Sequence, residues 1–332
     1  MNITLAHGSG GVQSQELTQK VFLKHLAPFM QGSGEDAGLA HGCVGVFAMS
    51  TDSYVITPYR FRGGDIGKLC VCGSSNDVAM VGARPKYMSA GFIIEEGFSI
   101  KELESLVVSM AREIELGRLK ILSADTKVVP RGSMDGIFIN TTAYGEIIYE
   151  NLSAQNLKVG DCIIVSGNIG THGSMVYCER NEIGLLNTLQ SDCAQLFGML
   201  EPLFNSRVEI HALRDATRGG LASVLNEWAQ ASNVSISIEE SKVPVLDEVR
   251  GVCEILGLEP YVLANEGVCV LSVPRAEAQR VLEILTAHSL GQNACLIGEV
   301  RADNPKRVIL QNPYGTRRYL EYPQGEILPR IC

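Results

Sequence analysis

Four aspartates in the first half of the 332-residue chain are the side chains best suited to chemistry. Asp52, Asp77 and Asp125 each sit just after or near the end of a predicted strand, and Asp36 is a candidate fourth member. Carboxylates gathered at one edge of a sheet repel one another unless a cation neutralises them, and Mg²⁺ prefers carboxylate oxygens shared with substrate phosphates. The set predicts a magnesium-nucleotide site, although any one of these aspartates alone is better explained as a helix cap or a turn residue.

Glycine-rich segments supply the backbone N–H groups that a phosphate site needs. Four segments have this character: Gly8 to Gly11, Gly63-Gly64, Gly170-Thr171-His172-Gly173 and Gly219-Gly220. None matches G-x-x-x-x-G-K-[ST] or G-x-G-x-x-G between a strand and a helix, so a Walker-type or Rossmann-type site is not supported. His7 and His172 could contact phosphates, or could equally be loop residues with a structural hydrogen bond.

The last residue of the chain, Cys332, is a thiol. A chain end is normally frayed and adds little to a core. The thiol is therefore either incidental or is carried to chemistry elsewhere on a mobile tail that begins after Tyr322. The pair Cys70 and Cys72 lies on a predicted helix, where the two side chains diverge and chelate a metal poorly.

Composition and charge limit the classes of protein to which the chain can belong. A net charge of -9 argues against the basic surface that nucleic-acid binding needs, so we expect no nucleic-acid partner. The start of the chain has neither a basic segment nor an apolar signal region, and no apolar run reaches the roughly 18 residues of a membrane span. We therefore expect a cytoplasmic protein with free thiols and no membrane contact.

Helical and strand patterns predict an α+β protein of two domains followed by a tail. A helix contains Asn76-Asp77 and stops by Gly82, and Ser99 with Glu102 forms a capping box for the clearest helix in the chain. From about Asn151 the alternation of strands, glycine loops and helices begins again. The predicted units are residues 1–150, residues 151–322 and a mobile tail of residues 323–332.

Nine segments together closely resemble the HypE family of hydrogenase maturation proteins. They are Ala6 to Gly11, Thr51 to Val55, Gly63 to Gly67, Asn76 to Met80, Asp125 to Val129, Ile139 to Thr142, Arg214 to Gly220, Ala264 to Gly267 and Pro329 to Cys332. The match spans essentially the entire chain. The chain departs from the usual family pattern at Arg62, Ser74-Ser75 and Ala124. These differences concern loop geometry and remove no functional group.

The resemblance implies the two-domain PurM-like fold of the superfamily of aminoimidazole ribonucleotide synthetase, selenophosphate synthetase and thiamin-monophosphate kinase. In that fold the N-terminal domain binds ATP and pairs into a homodimeric β-barrel, and the C-terminal domain is an α/β sandwich. The resemblance also implies the reaction. Cys332 receives a carbamoyl group from the carbamoyltransferase HypF, and ATP-dependent dehydration converts the S-carboxamide into a thiocyanate. The cyanide then passes to iron on the HypC–HypD scaffold for [NiFe]-hydrogenase.

The resemblance also assigns site residues to this chain. Cys332 carries the substrate, and Glu266 and Lys127 are the candidate bases for the two N–H protons, with Lys127 alternatively binding phosphate. The residues expected to bind the nucleotide are His7, Gly10, Gly11, Asp52, Gly64, Asn76, Asp77, Asp125, Thr126, Lys127 and His172. The residues expected to hold Mg²⁺ are Asp36, Asp52, Asp77 and Asp125.

Two other functions remain open from the sequence. A synthetase or kinase of the same superfamily would act on a free small molecule, and the tail would then be dispensable. A non-catalytic carrier subunit would use the tail only to dock a partner. The set of four carboxylates argues against the carrier.

Overall fold

A computed structural model describes residues 11–17, 19, 38–41, 45–183, 189–325, 328 and 330–332 of the protein. Among the predicted site residues, His7, Gly10 and Asp36 lie outside the described residues. The described chain contains two large β-sheets, one formed by each half of the sequence, together with the helices that pack on them.

The first half is organised around a five-stranded sheet. Its elements in chain order are α1 (Val12–Leu17), β1 (Gly38–His41), β2 (Val46–Tyr54), β3 (Arg60–Phe61), β4 (Gly64–Asp65), α2 (Ile66–Met80), β5 (Ala83–Glu95), α3 (Ile100–Leu116), β6 (Lys120–Val129) and β7 (Ile137–Ile147). The strand order is β1-β2-β7-β5-β6, and every neighbouring pair is antiparallel except β5 with β6. Within the described residues the sheet is open, with β1 and β6 as its edges.

Helix α2 is buried along most of its length because it lies between the first sheet and α3. Two glycines permit this close packing. A Cβ at Gly67 would collide with the carbonyl of Leu106 in α3, and one at Gly73 would collide with the ring of Tyr54 in β2. Asp65 caps the helix by accepting a hydrogen bond from a backbone N–H of the first turn at 2.9 Å. The helix ends before Gly82, as the sequence predicts.

Helix α3 confirms the predicted capping box in part. The hydroxyl of Ser99 accepts a hydrogen bond from the backbone N–H of Glu102 at 3.5 Å, and Gly117 ends the helix. Its 17 residues exceed the length of the other described helices. Within the described part of the chain, no helix combines the length and the apolar character needed to cross a membrane.

The second half is organised around a seven-stranded sheet. Its elements are β8 (Cys162–Val165), α4 (Thr171–Arg180), α5 (Phe197–Ser206), β9 (Ala212–Asp215), α6 (Gly220–Ala231), β10 (Ser235–Glu239), α7 (Asp247–Leu256), β11 (Cys269–Val273), α8 (Ala278–Thr286), β12 (Cys295–Arg301), β13 (Arg307–Gln311) and β14 (Arg317–Tyr319). The strand order is β14-β13-β10-β12-β8-β11-β9.

The central strands of the second sheet are buried on both faces. Along β8, Ile163 and Val165 pack in the cluster that contains α6, whereas Cys162 and Ile164 pack with α5 and α8. Continuous apolar sequence in a strand is typical of a sheet covered on both sides. The mixed sheets and helices confirm the predicted α+β, two-domain organisation.

Asn76 joins α2 to the second half of the protein. Its side-chain amide donates hydrogen bonds to the carbonyls of Ala194 at 3.0 Å and Glu266 at 3.5 Å, and its carbonyl accepts one from the backbone N–H of Leu196 at 2.8 Å. The residue is only 2% exposed. Both ends of the side chain therefore bridge the halves, and the sequence-based expectation that Asn76 binds the nucleotide stays a prediction.

Replacing Asn76 by alanine is expected to lower the free energy of unfolding by about 3 kcal/mol, because buried backbone groups lose their partners. Asn76→Asp is the comparison variant, since it keeps the acceptor for Leu196 but places a buried carboxyl oxygen against the carbonyls of Ala194 and Glu266. Urea denaturation should place the midpoint of Asn76→Asp at or below that of Asn76→Ala, and both below that of the wild type. Equal midpoints for all three proteins would show that this junction contributes nothing to stability.

Candidate active site

The described end of the tail is docked along the residues that follow β2. The carbonyl of Cys332 accepts a hydrogen bond from the backbone N–H of Val55 at 3.0 Å, and the carbonyl of Arg330 accepts one from Thr57 at 3.4 Å. Between them, Ile331 is only 5% exposed and packs in the core. The end of the chain is therefore docked with the Cys332 side chain partly buried, where the sequence predicts a mobile tail.

His172, in the first turn of α4, holds the tail from the second half. Its Nε2 atom lies 2.8 Å from the carbonyl of Ile331, and its Nδ1 atom lies 2.7 Å from the hydroxyl of Ser191. A carbonyl can only accept, so Nε2 donates and Nδ1 accepts from the serine. Burial lowers the pKa of His172 to about 4, against the opposing effect of the Ile331 carbonyl, so the ring is neutral at pH 7. Both ring nitrogens therefore make structural hydrogen bonds, one of the two roles that the sequence leaves open for His172, and its contact with the nucleotide stays a prediction.

The thiol of Cys332 is surrounded by one cation and three carboxyl groups. Burial raises its pKa to about 12, Arg218 opposes this rise, and Glu266, Asp52 and Asp77 add to it. The same groups, led by the Cys332 thiolate, raise the pKa of Arg218 above its ordinary value despite burial. Because these residues come from both halves of the chain, the site forms where the halves meet.

Glu266 lies in a loop that backbone hydrogen bonds fix from two sides. The carboxylate of Asp192 accepts from the N–H groups of Glu266 and Gly267, each at 3.2 Å, and the carbonyl of the Asn265 side chain accepts from Gly170 at 2.7 Å. The Glu266 side chain is 4% exposed. Burial raises the pKa of its carboxyl well above the ordinary value, and neighbouring thiol and carboxyl groups raise it further. Such a group holds its proton tightly and becomes a strong base once ionised.

Asp52 and Asp77 lie near each other, but the predicted position near a strand end is right for Asp52 and wrong for Asp77 and Asp125. Asp52 lies within β2, Asp77 lies on α2, and Asp125 lies within β6. The hydroxyl of Ser50, which shares a face of β2 with Asp52, donates to the carboxylate of Asp77 at 2.6 Å. Burial raises the pKa of Asp52, and Arg218 opposes this rise.

Asp125 does not join this pair within one chain. The strand register places Asp52 opposite Thr141 in β7, then Ala90 in β5 and Ala124 in β6. Three strand spacings separate β2 from β6 by about 14 Å. Asp125, next to Ala124, faces the opposite side of the sheet because successive side chains alternate. Within the described residues, no three His, Cys, Asp or Glu side chains converge as a metal site.

Lys127 and Thr126 also lie on β6, at the exposed edge of the first sheet. Lys127 forms an ion pair with Asp125 at 2.7 Å, and the two side chains are 68% exposed. Thr126 aligns with Phe92 of β5, and Lys127 aligns with Ile93. In a single chain, the two candidate bases Glu266 and Lys127 are therefore in different environments, one buried and one open to solvent.

Gly11 and Gly64, two of the residues predicted to bind the nucleotide, pack closely against other residues. A Cβ at Gly11 would collide with the carbonyl of Pro323, at the start of the tail, and one at Gly64 would meet the ring of Phe61 at 2.9 Å. The ring of Phe61 stands edge-on to the His172 imidazole, with 5.5 Å between centroids. Both glycines thus pack near elements that hold the tail, and their predicted contact with the nucleotide stays a prediction.

Three polar residues at the site were given no role in the sequence analysis: Asp192, and Asp215 and Arg218 of the segment Arg214 to Gly220. Asp215 ends β9, is 5% exposed, and has one carboxylate oxygen that makes no hydrogen bond with any described residue. Burial raises the pKa of Asp215 to about 6, as it does for Asp192. Two sequence features could have identified Asp215 and Arg218 as site residues. Asp215 is an acidic residue at the end of a strand, and Arg218 is an arginine followed by two glycines. Asp192 has no comparable local signal.

Comparison with known proteins places the chain in a family over its full length. The families described as AIR synthase related protein, N-terminal domain and C-terminal domain, match residues 34–147 and 158–311. Carbamoyl dehydratase HypE of Escherichia coli strain K12 is 45% identical over 339 residues, covering 100% of this chain and 99% of the relative.

Two solved structures of HypE proteins share this fold. The HypE chain of a HypE–HypF complex matches with a TM-score of 0.86 and 42% identity, over 92% of this chain and 99% of that chain. A HypE protein in complex with ATP matches with a TM-score of 0.84 and 40% identity, over 100% of both chains. On this full-length identity and shared fold, the chain belongs to the HypE family of carbamoyl dehydratases.

Proposed function

We propose that the protein uses ATP to dehydrate an S-carboxamide on its own Cys332 to a thiocyanate, which supplies cyanide for the iron of [NiFe]-hydrogenase. The observation that carries this proposal is the docked terminal thiol, which lies among Glu266, Arg218, Asp52 and Asp77. The names of the full-length relatives support the same reaction.

The reaction divides into two steps. The carboxamide oxygen attacks the γ-phosphorus of ATP, ADP leaves, and the nitrogen loses its first proton to give an S-bound imidate phosphate. Loss of the second N–H proton then accompanies cleavage of the C–O bond, which releases phosphate and forms the C≡N bond. Glu266 is positioned to take a proton beside Cys332, and Arg218 stabilises negative charge near the transferring group.

Asp52 and Asp77 are the residues that would hold Mg²⁺. Two adjacent carboxylates suit this ion, which takes one or two protein carboxylates and completes its shell with phosphate oxygens and water. Bound there, Mg²⁺ would neutralise charge on the ATP phosphates. Burial raises the pKa of Asp52, and a cation bound beside it would favour the ionised carboxylate. The ATP complex of a HypE relative supports nucleotide binding.

The exposed face of the first sheet supports a homodimer. Met49, Tyr144 and Tyr87 form one cross-strand row over β2, β7 and β5, and they are 46%, 37% and 41% exposed. Large apolar side chains in a contiguous row on a sheet mark an interaction surface. Pairing of two such faces would build the β-barrel expected for the superfamily.

The proposed homodimer also gives a role to the residues of β6, at the edge of the first sheet. Asp125 and Lys127 lie on the same exposed face as Tyr144, so a second copy would cover them. We place them in the active site of the partner subunit, where Lys127 takes the second proton or binds phosphate. Thr126 lies between them on the same strand.

The remaining parts of the proposal concern partners and organisation. HypF would supply the carbamoyl group, as the HypE–HypF complex of a relative suggests, and the HypC–HypD scaffold would accept the cyanide. Residues 1–150 would bind ATP and dimerise, residues 151–322 would complete the site, and residues 323–332 would carry Cys332 between partners. These steps belong in the cytoplasm.

Intact-mass analysis tests the reaction. After incubation with a carbamoyl-transfer system, the protein should gain one carbamoyl group, and ATP should then remove one water, both at Cys332. Cys332→Ala should show neither change. ATP turnover on a free small molecule by Cys332→Ala would instead favour a synthetase or kinase, and a carbamoylated protein that never loses water would favour a carrier.

A further inference from the structure

The contacts to the last three residues are of two kinds. In the first kind, a main-chain carbonyl of the tail accepts a hydrogen bond. Val55 donates to the carbonyl of Cys332, His172 to the carbonyl of Ile331, and Arg180 to the carbonyl of Arg330. Every residue has such a carbonyl, so these contacts alone would accept the tail in more than one register.

The second kind of contact involves side chains: Ile331 packs in the core at 5% exposure, and Arg330 makes the polar contacts. Its Nε atom donates to the carbonyl of Val55 at 2.9 Å, and its Nη1 atom forms an ion pair with the carboxylate of Asp135. Its guanidinium carbon lies 5.5 Å from the ring centroid of Phe138 in β7. The Arg330 side chain is 26% exposed, whereas that of Asp135 is 69% exposed.

These three contacts need the shape of a guanidinium. A planar group with several fixed N–H donors can stack on a ring while it bonds a carbonyl and a carboxylate at its edges. A lysine ammonium is a single point of charge and cannot serve the three positions together. The ion pair with Asp135 is partly exposed, so by itself it contributes little to docking of the tail. The hydrogen bond, the ion pair and the ring contact together make the interaction specific for arginine.

We propose that Arg330 is a positioning residue that sets the register of the tail, so that the residue two places after it is presented to the catalytic groups. The inference rests on the proposed dehydration at Cys332. Arg330 does not touch the reacting atoms. It acts through the backbone, because Val55 bonds both the Arg330 side chain and the Cys332 carbonyl.

The test compares full-length variants in a single turnover. Each protein is carbamoylated, its carbamoylated fraction is measured by intact mass, and the rate of water loss from that fraction is followed over a range of ATP concentrations. We expect Arg330→Ala and Arg330→Lys to slow dehydration about tenfold at saturating ATP, as the loss of about 1.4 kcal/mol of docking would do. The ATP concentration for half-maximal rate should not change, since the tail contacts are separate from the proposed ATP ligands.

A permuted tail is the matched control. Arg330→Ile combined with Ile331→Arg keeps composition and charge but moves the arginine one place and removes Ile331 from the core, so it should be at least as slow as Arg330→Ala. The pair Arg330→Asp with Asp135→Arg should be faster than Arg330→Asp alone, because opposite charges face each other again. Cys332 in Arg330→Ala should also react faster with a thiol reagent.

Three results would overturn the proposal: wild-type rates in Arg330→Ala, a permuted tail as fast as the wild type, or no gain from the charge exchange. Failure of the proposed function itself gives a different result, since the carbamoylated wild type would then lose no water. The rate at which Cys332 reacts with the thiol reagent measures docking of the tail without any turnover.

Discussion

Replacing Glu266 by glutamine is expected to slow the loss of water from carbamoylated Cys332 about a thousandfold, within the range that a positioned general base contributes. Glutamine has the size and hydrogen-bonding shape of the neutral carboxyl group but cannot take a proton. Rapid-quench mass analysis at saturating ATP measures the effect directly. A rate within a few fold of the wild type would remove Glu266 from the chemistry.

The raised pKa of Glu266 also predicts the direction of the pH dependence. The base acts only when ionised, so the rate should rise with pH through the raised pKa, whereas a carboxyl group with an ordinary pKa would give a flat profile above about pH 6. Stability should change in the opposite direction. A folded-state pKa above the unfolded one stabilises the protein below the unfolded pKa, and this contribution is lost as pH rises.

The stability effect supplies the control for folding. Wild-type protein should lose more of its free energy of unfolding than Glu266→Gln does as pH rises from the ordinary pKa of glutamate to the raised pKa of Glu266. In the variant only other carboxyl groups with raised pKa values, such as Asp192 and Asp215, still contribute to this loss. Denaturation curves at several pH values compare the two proteins. A glutamine variant that is inactive yet at least as stable as the wild type at high pH would confirm a chemical defect.

Mixing two inactive variants is expected to restore activity if Lys127 acts across the dimer. Lys127→Ala and Glu266→Gln each destroy every site in their own homodimers. Random exchange makes half of the dimers mixed, and each mixed dimer would contain one site with both native residues. About a quarter of wild-type activity should return, since one site in two is intact in half of the dimers.

The opposite arrangement predicts no recovery. If Lys127 served the site of its own chain, each site of a mixed dimer would still lack one base, and the mixture would stay inactive. Subunit exchange is verified separately with tagged chains. A Lys127→Ala variant as active as the wild type would exclude Lys127 from both arrangements.

The sequence predicted local elements well and the path of β2 poorly. The helices α2 and α3 follow from capping residues and apolar periodicity, which are local signals. The polar run Thr51-Asp52-Ser53 resembles a turn, but it continues β2. Its polar groups are satisfied across the strands: Asn140 in β7 donates to the carbonyl of Asp52 and to the hydroxyl of Ser53, each at 2.9 Å. Only the partner strand shows that these residues can stay extended.

The site was harder to predict than the fold, because it depends on contacts between distant parts of the chain. Arg330 and Val55 are separated by 275 residues and share a hydrogen bond. The grouping of Asp52 and Asp77 was expected, but the burial that changes the pKa of Glu266 arises only when the two halves meet. Family resemblance pointed to Glu266 without giving its environment.

Val55, His172 and Arg180 hold the tail by its carbonyls, and no described hydrogen bond from them reaches the sulfur of Cys332. The dock therefore binds the free thiol, the carboxamide and the thiocyanate with nearly the same strength. A contact that does not differ between two states cannot favour one over the other. These hydrogen bonds therefore do not change when the reaction is complete. In the proposed reaction cycle, the timing of delivery would depend on the nucleotide and on the partner proposed to accept the cyanide.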